Sequence, residues 1–203
     1  LLVGKLGPAE LSATNLVMMV NSFFFVPMMG LGQAVCVFVG QRMGAGKPDE
    51  AARGVWVGFA FAGPLMTALG VVAALMPGVF LAIFRSSEPG PVWNDVVELA
   101  PTLLWFVAVY SFFDSMNVVF AFALRGAGDT RYVSVMTLVC GVLLLALPCW
   151  YVTTHDWGVF WAWSCATLYI AGQGVVFLAR FSQGQWRSLR VIEPSVTEEP
   201  LQA

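Results

Sequence analysis

From Leu99 to Leu124 the chain reads LAPTLLWFVAVYSFFDSMNVVFAFAL, an oily stretch whose sole charge is the carboxylate of Asp114. About 20 apolar residues suffice to cross a bilayer. An acid at the centre of a membrane helix costs roughly 2.5–3.5 kcal/mol on insertion scales. Such acids face a bundle interior or a water-filled cavity, where they bind ions, carry protons or hold a substrate. The plainer reading is a protonated acid that hydrogen-bonds a neighbouring helix and only packs.

Four further segments are as apolar. The expected spans are about 11–39, 54–84, 99–124, 132–153 and 158–179, which makes an all-α membrane protein, a polytopic bundle of five transmembrane helices. Apolar residues make up 59% of the chain and charged residues 11%, against about 25% charged in soluble domains. Mean hydropathy is +0.78. A net charge of −2 argues against a nucleic-acid partner, and the surrounding partner is membrane lipid. Polar connectors rich in Gly and Pro separate the spans. Residues 1–180 form the membrane lobe; residues 181–203 form a polar tail whose end, EPSVTEEPLQA, has a disordered composition. Leu1 is not a methionine and no signal peptide opens the chain, so either a processed chain or a piece of a longer polypeptide is expected, the longer polypeptide foremost.

The basic residues sort by side. With alternating spans, Arg42, Lys47, Arg53, Arg125, Arg131, Arg180, Arg187 and Arg190 fall on one face, and Lys5 and Arg85 on the other. The positive-inside rule puts the eight, and the C-terminus, in the cytoplasm. Trp93, Trp150, Trp157 and Trp186 lie near span ends, where interfacial indoles are expected. Pro27, Pro64, Pro77 and Pro148 fall inside spans, as static kinks or moving hinges.

Positions three and four apart share a helix face. Around Asp114 that face carries Val107, Tyr110, Ser111, Asn117, Val118 and Ala121, with Phe112 and Phe120 on the opposite side. Tyr110, Ser111 and Asn117 can hydrogen-bond the carboxylate or help it hold a cation such as Na⁺, and the pattern predicts a polar cavity beside Asp114. Asn15, Asn21, Ser22 and Gln33 are polar positions of the first span. Ser164, Thr167 and Gln173 are those of the last, and residue by residue interhelical bonding is the simpler role for them. Phe23, Phe24 and Phe25 offer rings to a cation, although three consecutive rings cannot all point one way.

Enzymatic motifs fail. Gly44-Ala45-Gly46-Lys47 lacks the first glycine and the final hydroxyl of a phosphate loop, with Gln41 and Pro48 in those places. Gly126-Ala127-Gly128-Asp129 has the GxGD form of intramembrane aspartyl proteases. Asp114 is about 22 Å of helix rise away, too far to serve as the second acid. His155 stands in a short outer loop. Cys36, Cys140, Cys149 and Cys165 lie in apolar runs without metal-ligand spacing. No catalytic residue and no cofactor is expected.

LGPAELSATNL at 6–16, PMMGLGQAVCVFVGQRMGAGKPDEA at 27–51 and ALRGAGDTR at 123–131, in this order, resemble the signatures of the multidrug and toxic compound extrusion (MATE) family, NorM-like branch. The resemblance implies that the five spans are helices eight to twelve. They would then be part of a six-helix lobe in a twelve-helix, pseudo-symmetric transporter, with helix seven and the N-terminal lobe of the same polypeptide lying outside these 203 residues. The missing sixth helix would leave the polar face of the third span poorly covered. The resemblance further implies a secondary antiporter of a bacterial inner membrane, exporting small organic, usually cationic, drugs or metabolites against Na⁺ or H⁺. Asp114 matches the coupling acid, Asn21, Tyr110, Ser111 and Asn117 are candidate cavity-lining residues, and Asp129 anchors a loop through backbone groups and nearby basic residues. Alternatives are a lipid-linked precursor flippase, which needs basic residues deep in the spans, and a non-transporting membrane subunit.

Overall fold

The computed structural model describes residues 8–84, 93–155 and 158–189. These fold into helices α1 (Pro8–Gly44), α2 (Pro48–Leu75), α3 (Pro77–Phe84), α4 (Trp93–Gly126), α5 (Thr130–Cys140), α6 (Leu147–Thr154) and α7 (Val159–Ser182). A π-helical turn, Gly141–Ala146, joins α5 to α6, and a 3₁₀ turn, Gln185–Ser188, follows α7. Five stretches are long and apolar enough to cross a membrane, as the sequence predicts, and no strand occurs among the described residues.

The boundaries differ from the sequence reading in one physical respect. The second span is not one helix to Phe84. It breaks at Met76, whose φ of −120° and ψ of 51° leave the helical region, because the following Pro77 disfavours that region for its predecessor. Pro27 and Pro64 instead sit inside unbroken helices, as does Pro101 in α4. Pro148 stands in the first turn of α6, directly after the π turn. Lacking an N–H, it has no donor to give the preceding turn.

The two glycine-rich connectors that mimic enzyme motifs are copies of one helix stop. After α1, Lys47 N donates to Arg42 O at 2.8 Å and Gly46 N to Met43 O at 3.0 Å. After α4, Asp129 N donates to Leu124 O at 2.9 Å and Gly128 N to Arg125 O at 3.0 Å. These are the paired bonds of a Schellman cap, which require a left-handed residue past the helix end. Gly46 (φ 70°) and Gly128 (φ 92°) supply it.

α4 is the post of the bundle: α1, α2 and α7 all pack along it. Of the five spans it is the most enclosed, with 44% of its apolar window buried against 17–33% in the others. This corrects one expectation: the polar face of α4 is covered. On the opposite side Phe120 is completely buried among Trp56, Phe59 and Phe181, while Phe112 is 40% exposed. Small residues permit the approach. Gly32 of α1 lies on Val118 and Phe122, Gly70 of α2 on Ala108 and Ser111, and Gly174 of α7 on Phe113 and Asn117.

The tail does not leave the bundle at 181. α7 continues to Ser182, and the 3₁₀ turn folds Trp186 back to full burial. Its ring stacks on Phe181 at 4.8 Å and its indole N–H donates to the Phe181 carbonyl at 2.8 Å. Trp186 is thus a core residue, not an interfacial one. Trp150 is 61% exposed. Trp157, Lys5, Arg85, Arg190 and the EPSVTEEPLQA end lie outside the described residues.

Candidate functional site

Two apolar clusters fill the bundle. One surrounds residues 116–124 of α4 with Val39, Val55, Phe177 and Trp186, and the other surrounds residues 96–110 with Val17, Val20, Leu81 and Trp163. Between them, on one turn of α4, lie Ser111, Asp114 and Ser115, all buried, with Gln173 buried on α7. The chain therefore builds a polar belt at mid-height. Asp114 is about 18 Å of helix rise from Gly126, near the middle of a hydrocarbon layer about 30 Å thick.

Asp114 is 8% exposed, and among the described residues its carboxylate accepts no hydrogen bond and pairs with no cation. Charge at this depth is confined to it. The sequence has no Asp, Glu, Lys, Arg or His at 11–41 of α1, 54–75 of α2 or 159–179 of α7. Tyr110, one turn away, is buried at 3% exposure and stacks on Trp163 with ring centroids 6.5 Å apart. Ser111 spends its proton on the Val107 carbonyl at 2.6 Å, and Ser115 on the Phe112 carbonyl at 2.7 Å. Both oxygens keep lone pairs for other donors or a cation. Asn117 is half-buried and donates from Nδ2 to Gln173 Oε1 at 2.9 Å.

Tyr110, Ser111, Asp114 and Asn117 thus share one enclosed face of α4. Asn21 is half-buried on α1 and bonds none of them. Asn15 and Gln33 are exposed. Sequence reasoning placed Gln173 among interhelical amides and passed over Ser115. Only the α4–α7 crossing reveals that Gln173 belongs to the belt.

The open grooves lie elsewhere. One, about 440 Å³, runs between α4 and α7 past Trp105, Phe106, Val109, Thr167 and Leu168. Another, about 450 Å³, runs between α1 and α2 past Phe23, Phe24, Pro27 and Leu65. Asp114 lines neither of these two grooves. Of the three adjacent rings, Phe23 is 66% exposed, while Phe24 turns inward to meet Phe80 edge-on at 6.2 Å.

Asp129, 8% exposed, precedes α5 but makes no side-chain cap. Its carboxylate instead receives Arg180 Nε at 2.8 Å. The expectation of backbone partners is corrected; that of a basic partner at a helix end is met. Arg180 also bonds Gln185 and lies over the Tyr132 ring at 4.5 Å. Nearby, Arg42 and Lys47 hold Glu50, and Arg187 holds Asp49 at 3.0 Å. At the other end His155 is exposed and rests on Tyr151.

Residues 1–152 match the family described as MatE. The chain belongs to the MatE family. It is 32% identical over 158 residues to "Probable multidrug resistance protein NorM" of Brucella suis biovar 1, covering 78% of this chain and 33% of that protein. A protein of the same description from Pseudomonas syringae pv. tomato is 26% identical over 191 residues, 94% of this chain and 41% of its own length. One from Pseudomonas putida is 28% identical over 193 residues, 95% and 41%. The MatE chain described here therefore spans about a third to two fifths of the relatives it matches. With its five apolar spans it is an integral membrane protein of a family of transporters.

Proposed function

We propose that this chain is the ion-binding lobe of a secondary antiporter that exports small organic, cationic drugs or metabolites in exchange for Na⁺ or H⁺. The relatives' name supports the efflux half of this reading. The observation that carries the coupling half is Asp114, a buried acid with no counter-charge, at mid-membrane depth, inside a belt of hydroxyls and amides. An acid so placed is stable only when something positive, a proton or a cation, sits on it or when water reaches it. Loading from the outside and release to the inside then follow the ion gradient. An organic cation, or the outward-open state it requires, competes with the ion.

Alternating access needs a second lobe to rock against. We place that lobe, with helix seven, in the part of the relatives' length that this chain does not match. The membrane is the bacterial inner membrane. The helix ends that carry Arg42, Lys47, Arg53, Arg125, Arg131, Arg180 and Arg187 face the cytoplasm, as does the C-terminus, by the positive-inside rule.

The test is Asp114→Asn in the transporter carrying both lobes. It keeps size and insertion and removes the titrating charge. Normal membrane abundance with loss of ion-driven dye efflux is expected. Wild-type rates across a range of pH and Na⁺ would reduce Asp114 to a packing residue.

A further inference from the structure

One buried polar atom near Asp114 has nothing to bond. Gln173 is 4% exposed. Its Oε1 accepts from Asn117, but its Nε2, which carries two donors, has no partner among the described residues. A native structure leaves few such atoms, and each calls for an explanation. Asp114 offers the complementary chemistry, a carboxylate in a residue that is 8% exposed and shows no hydrogen bond to a donor among the described residues.

The two residues belong to one helix crossing. A Cβ built on Gly174 would lie 2.8 Å from the Phe113 carbonyl oxygen and 3.3 Å from the Asn117 backbone nitrogen. α7 therefore presses on the turn of α4 that contains Asp114, and Asn117 shares its face three residues on.

An Asn–Gln pair can bond in two registers, because amide oxygen and nitrogen are nearly the same size. In the register described, Asn117 donates and Gln173 is left with a spare donor. With both amides rotated, Gln173 donates and is left with a spare oxygen. A donor suits a bare carboxylate; an oxygen suits a cation or a carboxyl proton. Among the described residues no group of three or more His, Cys, Asp or Glu could hold a metal. Tyr110 is the titratable neighbour on α4, and α1, α2 and α7 bring no charged residue to this depth. A hard cation on Asp114 must complete its shell with neutral oxygens.

We infer that the Asn117–Gln173 pair is a two-register element of the ion site: Gln173 donates to Asp114 when the site is empty and turns its oxygen to the ion when it is loaded. This rests on the reading of Asp114 as the ion-binding acid.

The transporter carrying both lobes, purified into lipid nanodiscs, is titrated with ²²Na⁺ at fixed pH, and for proton uptake without Na⁺. Asp114→Asn should abolish the response. Asn117→Leu combined with Gln173→Met removes both partners, an exchange that can be nearly neutral for stability. It should fold and bind, with half-saturating Na⁺ raised, or the proton midpoint moved, by about 10-fold, as for loss of one hydrogen bond to a charged group. If Asp114→Asn abolishes binding while the double variant keeps both wild-type midpoints, the pair only joins helices. If wild type binds neither ion, the Asp114 reading itself falls and this inference with it. Should the variants not accumulate, side-chain ¹⁵N-glutamine NMR of wild type decides: a Gln173 amide signal unmoved by the bound ion overturns the two-register element.

Discussion

Asp129 and Arg180, 51 residues apart in sequence, meet at 2.8 Å between Nε and the carboxylate. The pair fastens the α4–α5 corner to the end of α7. The two side chains are 10% and 19% exposed, so each depends on the other more than a surface pair would.

Asp129→Asn should therefore lower thermal stability toward the low end of the roughly 3–5 kcal/mol that breaking a buried pair costs. Arg180 keeps Gln185 and the Tyr132 ring, which softens the loss. Exchanging the two residues, Asp129→Arg with Arg180→Asp, should recover part of it. Size-exclusion profiles after heating read the effect, and a single variant as heat-resistant as wild type would show that the pair holds nothing.

Gly126→Ala should be more damaging than its size suggests. A Cβ there would overlap the Cys36 carbonyl oxygen of α1, with Cys36 Cα at 3.0 Å. Backbone cannot move aside as a side chain can, so a loss of about 3 kcal/mol is expected, the upper range for overpacking. Gly30→Ala, with nothing within 4 Å, is the control. Equal abundance of the two variants would contradict the close α1–α4 crossing.

Trp186→Ala should cost about 3–5 kcal/mol, as for other large core aromatics, because Trp186 is fully buried on Phe181. Trp150→Ala, at an exposed site, should cost much less. The comparison is a melting curve for each in one detergent. A similar drop in both would place Trp186 at the membrane surface after all.

Single cysteines in a background without Cys36, Cys140, Cys149 and Cys165 test the direction of the spans. Positions 47 and 188 should react with a membrane-impermeant maleimide only in inside-out vesicles, and position 89 only in right-side-out ones. Labelling of 47 and 89 from one side removes the alternating arrangement.

The sequence made the spans legible because lipid demands about 20 apolar residues in a row, a signal that is local. It did not show which side of each helix meets protein. In water a polar stripe marks the outside; in lipid both sides are apolar, so Phe112 and Phe120 looked alike although one is exposed and one buried. Asp114, Tyr110, Ser111 and Asn117 could be grouped from helical spacing alone. Gln173 joined them only through a crossing set by Gly174, and Asp129 found Arg180 only through the same packed α7. Trp186 was misread because proximity to a span end says nothing about a chain that folds back.

α4 is clasped on three sides, at Gly32, Gly70 and Gly174, with almost no clearance. A helix held that way cannot tilt or rotate by itself. Whatever settles on Asp114 is thus felt by a rigid scaffold of four helices at once. Movement that the carboxylate provokes must either carry α1, α2, α4 and α7 as one piece or be taken up by the few side chains, such as an amide pair, that can turn without displacing a backbone.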